Sequence, residues 1–296
     1  MSLPRRDIVR GALAAGALGA AAGVVPGLVG CSRVGDRAPS PTPTPAISVS
    51  APSGSRLRWI AHRGGGRDWP EMTAYAYEQA ARIQGLQDFE VSVHLSRDGV
   101  LVCNHDPDTS VLGSRAVVIA ETEWAELRQI MVSPRLTLDP GQPSRPLARL
   151  EEVLSAWIPT HTLWVEPKVE AAVEPLFRAL AAAGHPEHVV WKQPVNFPYF
   201  TRAKQLGYGT WGYVLSGEAQ QKFARTYAAD PAIDMLGAWT YTPDAEVART
   251  VQWAAENGKR TVMWAIRNAD DLDRALGLGC SGLMTSEILG LFGTRE

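Results

Sequence analysis

The sequence predicts an α/β fold: a closed (β/α)8 barrel forming a single domain over residues 57–296. Three observations lead there. From Leu57 on, short apolar runs alternate with segments of helical period, the order that builds a parallel sheet. The major apolar runs number about eight or nine, which favours closure over an open doubly wound sheet. The residues able to do chemistry fall at the carboxyl ends of these runs, where a barrel gathers its active groups. No Gly-x-Gly-x-x-Gly follows the first run. "RGGGRDWP" (63–70) leads into Pro70, so the dinucleotide-binding fingerprint is absent.

The elements follow in order. "LRWIAH" (57–62) reads as a strand, and "TAYAYEQAARIQ" (73–84) as a helix with Thr73 as N-cap and Gly85 as stop. "DFEVSVH" and "VLVCNH" alternate with period two and are joined by an Asp98-Gly99 turn. "ETEWAELRQI" (121–130) and "ARLEEVLSAW" (148–157) have helical period, and "HTLWVEPK" (161–168) is a strand. Helix and strand then alternate. The helices are "EPLFRALAAAG", "PYFTRAKQLG", "EAQQKFARTYAA", "PDAEVARTVQWAAENG" and "DDLDRALGLG", with "EILGLFG" closing the chain. The strands are "HVVWKQ", "GTWGYVL", "IDMLGAW", "TVMWAI" and "CSGLMT".

Residues 1–31 carry Arg5, Arg6 and Arg10, then an apolar Ala/Gly-rich run, the pattern of a secretory signal. The run ends in Leu28-Val29-Gly30-Cys31, which resembles a bacterial lipobox. Cys31 is therefore expected to carry lipid, making the protein an exported cell-membrane lipoprotein that faces outside. Residues 32–56 are rich in Pro, Ser and Thr and read as a semi-extended linker.

Net charge is −2, from 29 basic and 31 acidic residues. No basic stripe follows the first few residues, which argues against nucleic acid as a partner. Cys103 and Cys280 remain. An exported protein can join such a pair, but both lie in apolar runs, so buried free thiols are expected.

The first strand ends in His62-Arg63, the third in His105-Asp106, and "HTLWVEPK" in Glu166 and Lys168. The second carries Glu90, Ser92 and His94 at one parity. Histidines serve as general acid and base near neutral pH. Carboxylates from separate strands hold a hard cation, Mg²⁺ or Ca²⁺. Arg and Lys at the same mouth bind an anionic phosphate. Together they describe metal-assisted cleavage of a small-molecule phosphodiester. Glu90 and Glu166 also read as buried ion-pair partners of Lys168 or Arg63, and His94 as a residue that hydrogen-bonds its neighbours. Glu71 also reads as an acid in the first turn of a helix. Trp191, Trp211, Trp239 and Trp264 sit near strand ends, and Trp264 is the best candidate for a pocket wall.

The stretches "IAHRGG…WPEMTAYAYEQAA", "FEVSVHLSRDGVLVCNHDP", "LARLEEVL", "WVEPK" and "VMWAIRN…GLGCSGLMTSE" resemble the glycerophosphodiester phosphodiesterases. The resemblance implies a TIM barrel that hydrolyses glycerophosphodiesters to an alcohol and glycerol 3-phosphate. His62 and His105 match that family's acid/base pair, Arg63 and Lys168 its phosphate contacts. Glu90, Glu166 and Glu71 match positions at or near its divalent metal, with Ser92 where the pattern has Asp. Two further departures are Met72 for the Asn of Pro-Glu-Asn-Thr, and Ser286 for the Asp of a closing Thr-Asp. Ser92 removes a charge from the metal site. With Met72 and Ser286 it keeps open a weakened barrel that binds phosphodiesters or wall polymers without cleaving them, and tethering beside a membrane keeps open a phospholipase D-like lyase that stops at a cyclic phosphate.

Overall fold

Strands that are apolar on both faces leave no side for solvent, so their sheet must be covered outside and filled inside. The computed structural model describes residues 57–134, 141–214 and 224–292. The strands are β1 (Arg58–Ala61), β2 (Asp88–Leu95), β3 (Leu101–Cys103), β4 (Met131–Val132), β5 (Arg145–Pro146), β6 (Thr162–Pro167), β7 (Val189–Pro194), β8 (Gly209–Tyr213), β9 (Met235–Trp239), β10 (Arg260–Ile266) and β11 (Gly282–Thr285). Eight are parallel and run β1-β11-β10-β9-β8-β7-β6-β2. Pairing of β1 with β2 closes the ring, with Ala61 opposite Phe89. The (β/α)8 barrel is therefore closed as expected. The signal and the linker lie outside the described residues, and no described helix is long and apolar enough to cross a membrane.

β3 is the exception. It turns back antiparallel on β2 through the Asp98-Gly99 turn, where Gly99 takes a φ of 83° that an L side chain disfavours. It starts an excursion with its own small core of Val102, Ile119, Leu127, Ile130, Val132 and Leu147. The helix expected over 121–130 shrinks there to Trp124–Leu127. Glu123 at its N-cap makes no side-chain cap, and the excursion offers little apolar surface for a longer helix.

The outer helices form where the period indicated. Ala74–Ala81 is capped by Thr73, whose side chain accepts the Ala76 N–H at 3.2 Å. Val173–Ala183 stops at Gly184, whose φ is 74°. Of the helix expected over 218–229, the described residues 224–229 are helical. The main core lies between strands and helices, and a second core fills the barrel. Ile60, Trp164, Trp211, Met235, Val262 and Met284 occupy that interior. Such large side chains fit because β9 is bare at Gly237. A Cβ there would lie 2.5 Å from Tyr213 Cβ and 2.7 Å from the Trp264 ring. Cys103 and Cys280 are free buried thiols, as expected.

Candidate active site

Parity along each strand decides what reaches the mouth. On β2, Glu90 and Ser92 share the inward face, and register sets Ser92 opposite Glu166 of β6. On β7 the inward set is Val190 and Lys192, with Lys192 opposite Trp211 of β8. β1 ends at Ala61, and the chain tightens into a turn carrying His62 and Arg63. Arg63 adopts a left-handed backbone (φ 56°) and donates its N–H to Glu90 Oε2 at 2.9 Å.

These residues surround a cavity of about 580 Å³. His62, Arg63, Glu71, His105, Glu166, Lys168 and Trp264 all line it. Glu90 and Ser92 lie beneath its floor, both 0% exposed. Trp239 joins Trp264 in the wall, whereas Trp191 is buried outside the barrel, stacked on Phe177 at 4.1 Å. His94 contacts the His105 carbonyl at 3.2 Å rather than reaching the cavity. Asp88, at the strand's start, pairs with Arg58.

Sequence reasoning missed Lys192. It lines the cavity at 5% exposure, lies 2.8 Å from Glu90 Oε1 and also bonds Glu166 Oε2. Glu90 thus receives Arg63 N–H, Ser92 Oγ at 2.9 Å and Lys192. Glu166 receives Lys192, Lys168 Nζ at 3.3 Å and the Tyr213 hydroxyl, with Ser92 Oγ also 3.3 Å away. Ion pairing of the two glutamates was anticipated with Arg63 or Lys168; the chief partner is Lys192. A lysine inside a strand buried on both faces was the available signal, since such strands are otherwise apolar. Glu71 pairs with Arg63 Nη1 at 2.9 Å.

Burial works against the charge on Glu90, but the Lys192 ammonium, His62 and Arg63 outweigh it, and its carboxyl ionises well below the usual carboxylate range. Glu166 is lowered likewise: Lys192 and Lys168 outweigh its burial. Both glutamates raise Lys192 despite its burial. Burial, then Arg63, pushes His62 well below its ordinary value. Burial, Arg63 and Lys168 bring His105 down to about 4, although Asp106 opposes them. Both imidazoles are neutral near pH 7. His105 Nδ1 donates to Asp106 Oδ1 at 2.8 Å, which leaves Nε2 as the acceptor, where it meets Lys168 Nζ at 3.4 Å. His62 Nδ1 lies 2.7 Å from Ser286 Oγ.

Residues 62–176 match the model of the Glycerophosphoryl diester phosphodiesterase family. The match covers less than half of the chain. A Mycobacterium tuberculosis protein described as uncharacterized is 30% identical over 128 residues, 41% of this chain and 42% of its own length. The chain thus spans between about a quarter and two fifths of the length of the curated relatives it matches. The crystal structure of a glycerophosphoryl diester phosphodiesterase domain from the same organism superposes with a TM-score of 0.63 at 19% identity, covering 81% of this chain and 99% of that one. A phosphodiesterase of Oleispira antarctica, solved with the product sn-glycerol-3-phosphate, gives 0.61 at 20% identity, covering 79% and 95%. These two likenesses carry the fold.

The glycerophosphodiester phosphodiesterase family is generally dependent on a divalent cation. Among the described residues, one group of His and carboxylate ligand atoms converges within 4.8 Å: His185, Glu187 and His188. It precedes β7, at the barrel end opposite the cavity. The set expected from the resemblance does not gather in that way. Glu90 and Glu166 are joined through the Lys192 ammonium, Ser92 brings a neutral hydroxyl, and Glu71 is turned to Arg63. A divalent ion between Glu90 and Glu166 does not fit beside that ammonium, because its bonds at about 2.0–2.6 Å need the oxygens Lys192 holds.

Proposed function

We propose that the chain hydrolyses glycerophosphodiesters to an alcohol and glycerol 3-phosphate. The convergence of two neutral histidines with Arg63 and Lys168 on one cavity carries this reading. The family match and the product named for the Oleispira antarctica phosphodiesterase support it.

In this reading Lys168 and Arg63 hold the anionic phosphate. His105 suits the base, because its Nδ1–H is fixed by Asp106 and its Nε2 is an acceptor that takes a proton once Lys168 turns to the phosphate. It takes the proton of the glycerol 2-hydroxyl as that oxygen bonds to phosphorus. The bond to the alcohol oxygen breaks, and His62, which takes a proton from solvent as the anionic phosphate enters, gives that proton to the oxygen. Water then opens the five-membered cyclic phosphate with the two roles reversed. Trp264 and Trp239 form a wall for the alcohol. Apart from water, these steps use side chains of the protein itself. The signal-like residues 1–31 and the linker 32–56 support an exported enzyme tethered through lipid on Cys31.

Purified protein is incubated with glycerophosphocholine and followed by ³¹P NMR. The expected product is glycerol 3-phosphate. A cyclic phosphate as the final product would reassign the chain as a lyase. Binding without turnover in folded protein would leave the weakened barrel, the reading that Ser92 favours.

A further inference from the structure

We infer that Lys192 is a built-in cation in the place a divalent metal would take, so that this cavity binds phosphate and turns over its diester without a metal. The inference rests on the proposed function for turnover, but not for binding. Lys192 is a positioning residue here: it acts by fixing Glu90 and Glu166.

Geometry comes first. One ammonium bridges carboxylates from two strands, Glu90 of β2 and Glu166 of β6, from a third strand, β7. That is the bridging position a metal ion would need. The lysine is held there, with its Nζ 5.8 Å from the Trp211 ring centroid and 5.5 Å from that of Tyr213. Tyr213 also donates to Glu166, so swinging Lys192 away would break a packed cluster.

Charge points the same way. An aspartate at position 92 beside Glu90 and Glu166 would make three carboxylates, and a divalent ion among them would leave one net negative charge. Two carboxylates, the Ser92 hydroxyl and the Lys192 ammonium leave the same. Adding a divalent ion to the present set would leave a net positive charge in a buried site, with Lys168 already at its edge. Ser92 and Lys192 are thus two halves of one exchange. Ser92 also completes the link, because its hydroxyl lies between Glu90 and Glu166 at 2.9 and 3.3 Å.

The test uses the full chain after dialysis against a chelator. Mg²⁺ and Ca²⁺ are titrated calorimetrically into wild type and into Ser92→Asp/Lys192→Gln. His185→Asn is included as a background, so that the His185, Glu187 and His188 group cannot supply the signal. Glycerol 3-phosphate affinity and glycerophosphocholine turnover are measured with and without chelator. Wild type is expected to bind neither ion at one per chain, and chelation should change its affinity and turnover less than twofold. The double variant should bind one Mg²⁺ or Ca²⁺ per chain, and its glycerol 3-phosphate affinity should fall at least tenfold on chelation. One tightly bound ion per wild-type chain, or a tenfold chelator-induced loss of glycerol 3-phosphate binding, overturns the inference. If no glycerophosphodiester is turned over, the functional proposal fails, and the metal and glycerol 3-phosphate titrations still decide the role of Lys192. If the double variant fails to fold by circular dichroism, the wild-type titrations decide.

Discussion

Lys192 Nζ lies 2.8 Å from Glu90 Oε1, across 102 residues of chain, with both side chains buried. Removing one partner of a buried pair leaves an uncompensated charge, which costs about 3–5 kcal/mol. Lys192→Met strands two carboxylates at once. Its melting temperature is expected to fall by roughly 6–20 °C, at about 2–4 °C per kcal/mol for a domain of this size. Lys192→Met/Glu90→Gln/Glu166→Gln removes the stranded charges and should recover more than half of that loss. Differential scanning calorimetry of the two variants decides. A single variant that melts with wild type would show that the bridge is not structural.

Gly237 tests the barrel filling independently. A methyl there meets Tyr213 Cβ at 2.5 Å and the Trp264 ring at 2.7 Å, and neither can yield without disturbing the other. Overpacking of this kind costs about 1–3 kcal/mol. Gly237→Ala is expected to lower the urea midpoint accordingly. It should also weaken substrate binding, because Trp264 forms the cavity wall. Gly258→Ala is no control, since its φ is 68°. Gly277, in a helix with nothing near its Cβ, is the proper one: Gly277→Ala should be neutral or mildly stabilising.

Most of the barrel was legible because its strands are apolar runs bounded by breakers, and its helices keep one period. His62, His105, Glu166 and Lys168 were legible because each falls at or just past the end of a strand, the place where parity no longer hides a polar residue. Lys192 was not, because it lies within "VVWKQP" and its meaning depends on register. Only pairing of β6 with β7 and of β2 with β6 brings it to Glu90 and Glu166. Met72 was legible as a departure but not in its consequence. It adopts a left-handed φ of 58°, a conformation that the Asn of the related pattern enters easily, yet its side chain is buried in the core.

His105 sets the acid limb of activity. In the folded free enzyme its value is about 4, so it keeps its proton below that pH and cannot accept another. kcat/KM for glycerophosphocholine is expected to rise with pH through about 4 and not through 6.5. His105→Ala should cut kcat by about 10²–10⁴-fold, the contribution of general acid–base catalysis. Asp106→Asn keeps the ring but weakens its anchor, so a smaller loss is expected. It should also shift the acid limb further down, because Asp106 raises the His105 value. A limb at 6.5 in wild type would mean that His105 is not the base.

Asp68 gives the fold a pH dependence of its own. Its Oδ2 accepts the N–H groups of Ile288 and Leu289, while Oδ1 is buried without a hydrogen-bond partner. Burial outweighs these two donors and pushes the carboxyl up to about 6, from 3.8. A raised folded value means that the folded protein binds a proton the unfolded chain releases. The stabilisation is fully present below 3.8 and is lost as pH rises through about 6. It amounts to at most about 3 kcal/mol, at 1.36 kcal/mol per pKa unit. Asp68→Asn keeps an oxygen for Ile288 and Leu289 but cannot ionise. Urea unfolding at pH 4.5 and pH 7.5 should therefore show the variant gaining on wild type at the higher pH. Parallel pH dependence in the two proteins would mean that Asp68 is ionised in the fold throughout, held by its two backbone donors alone.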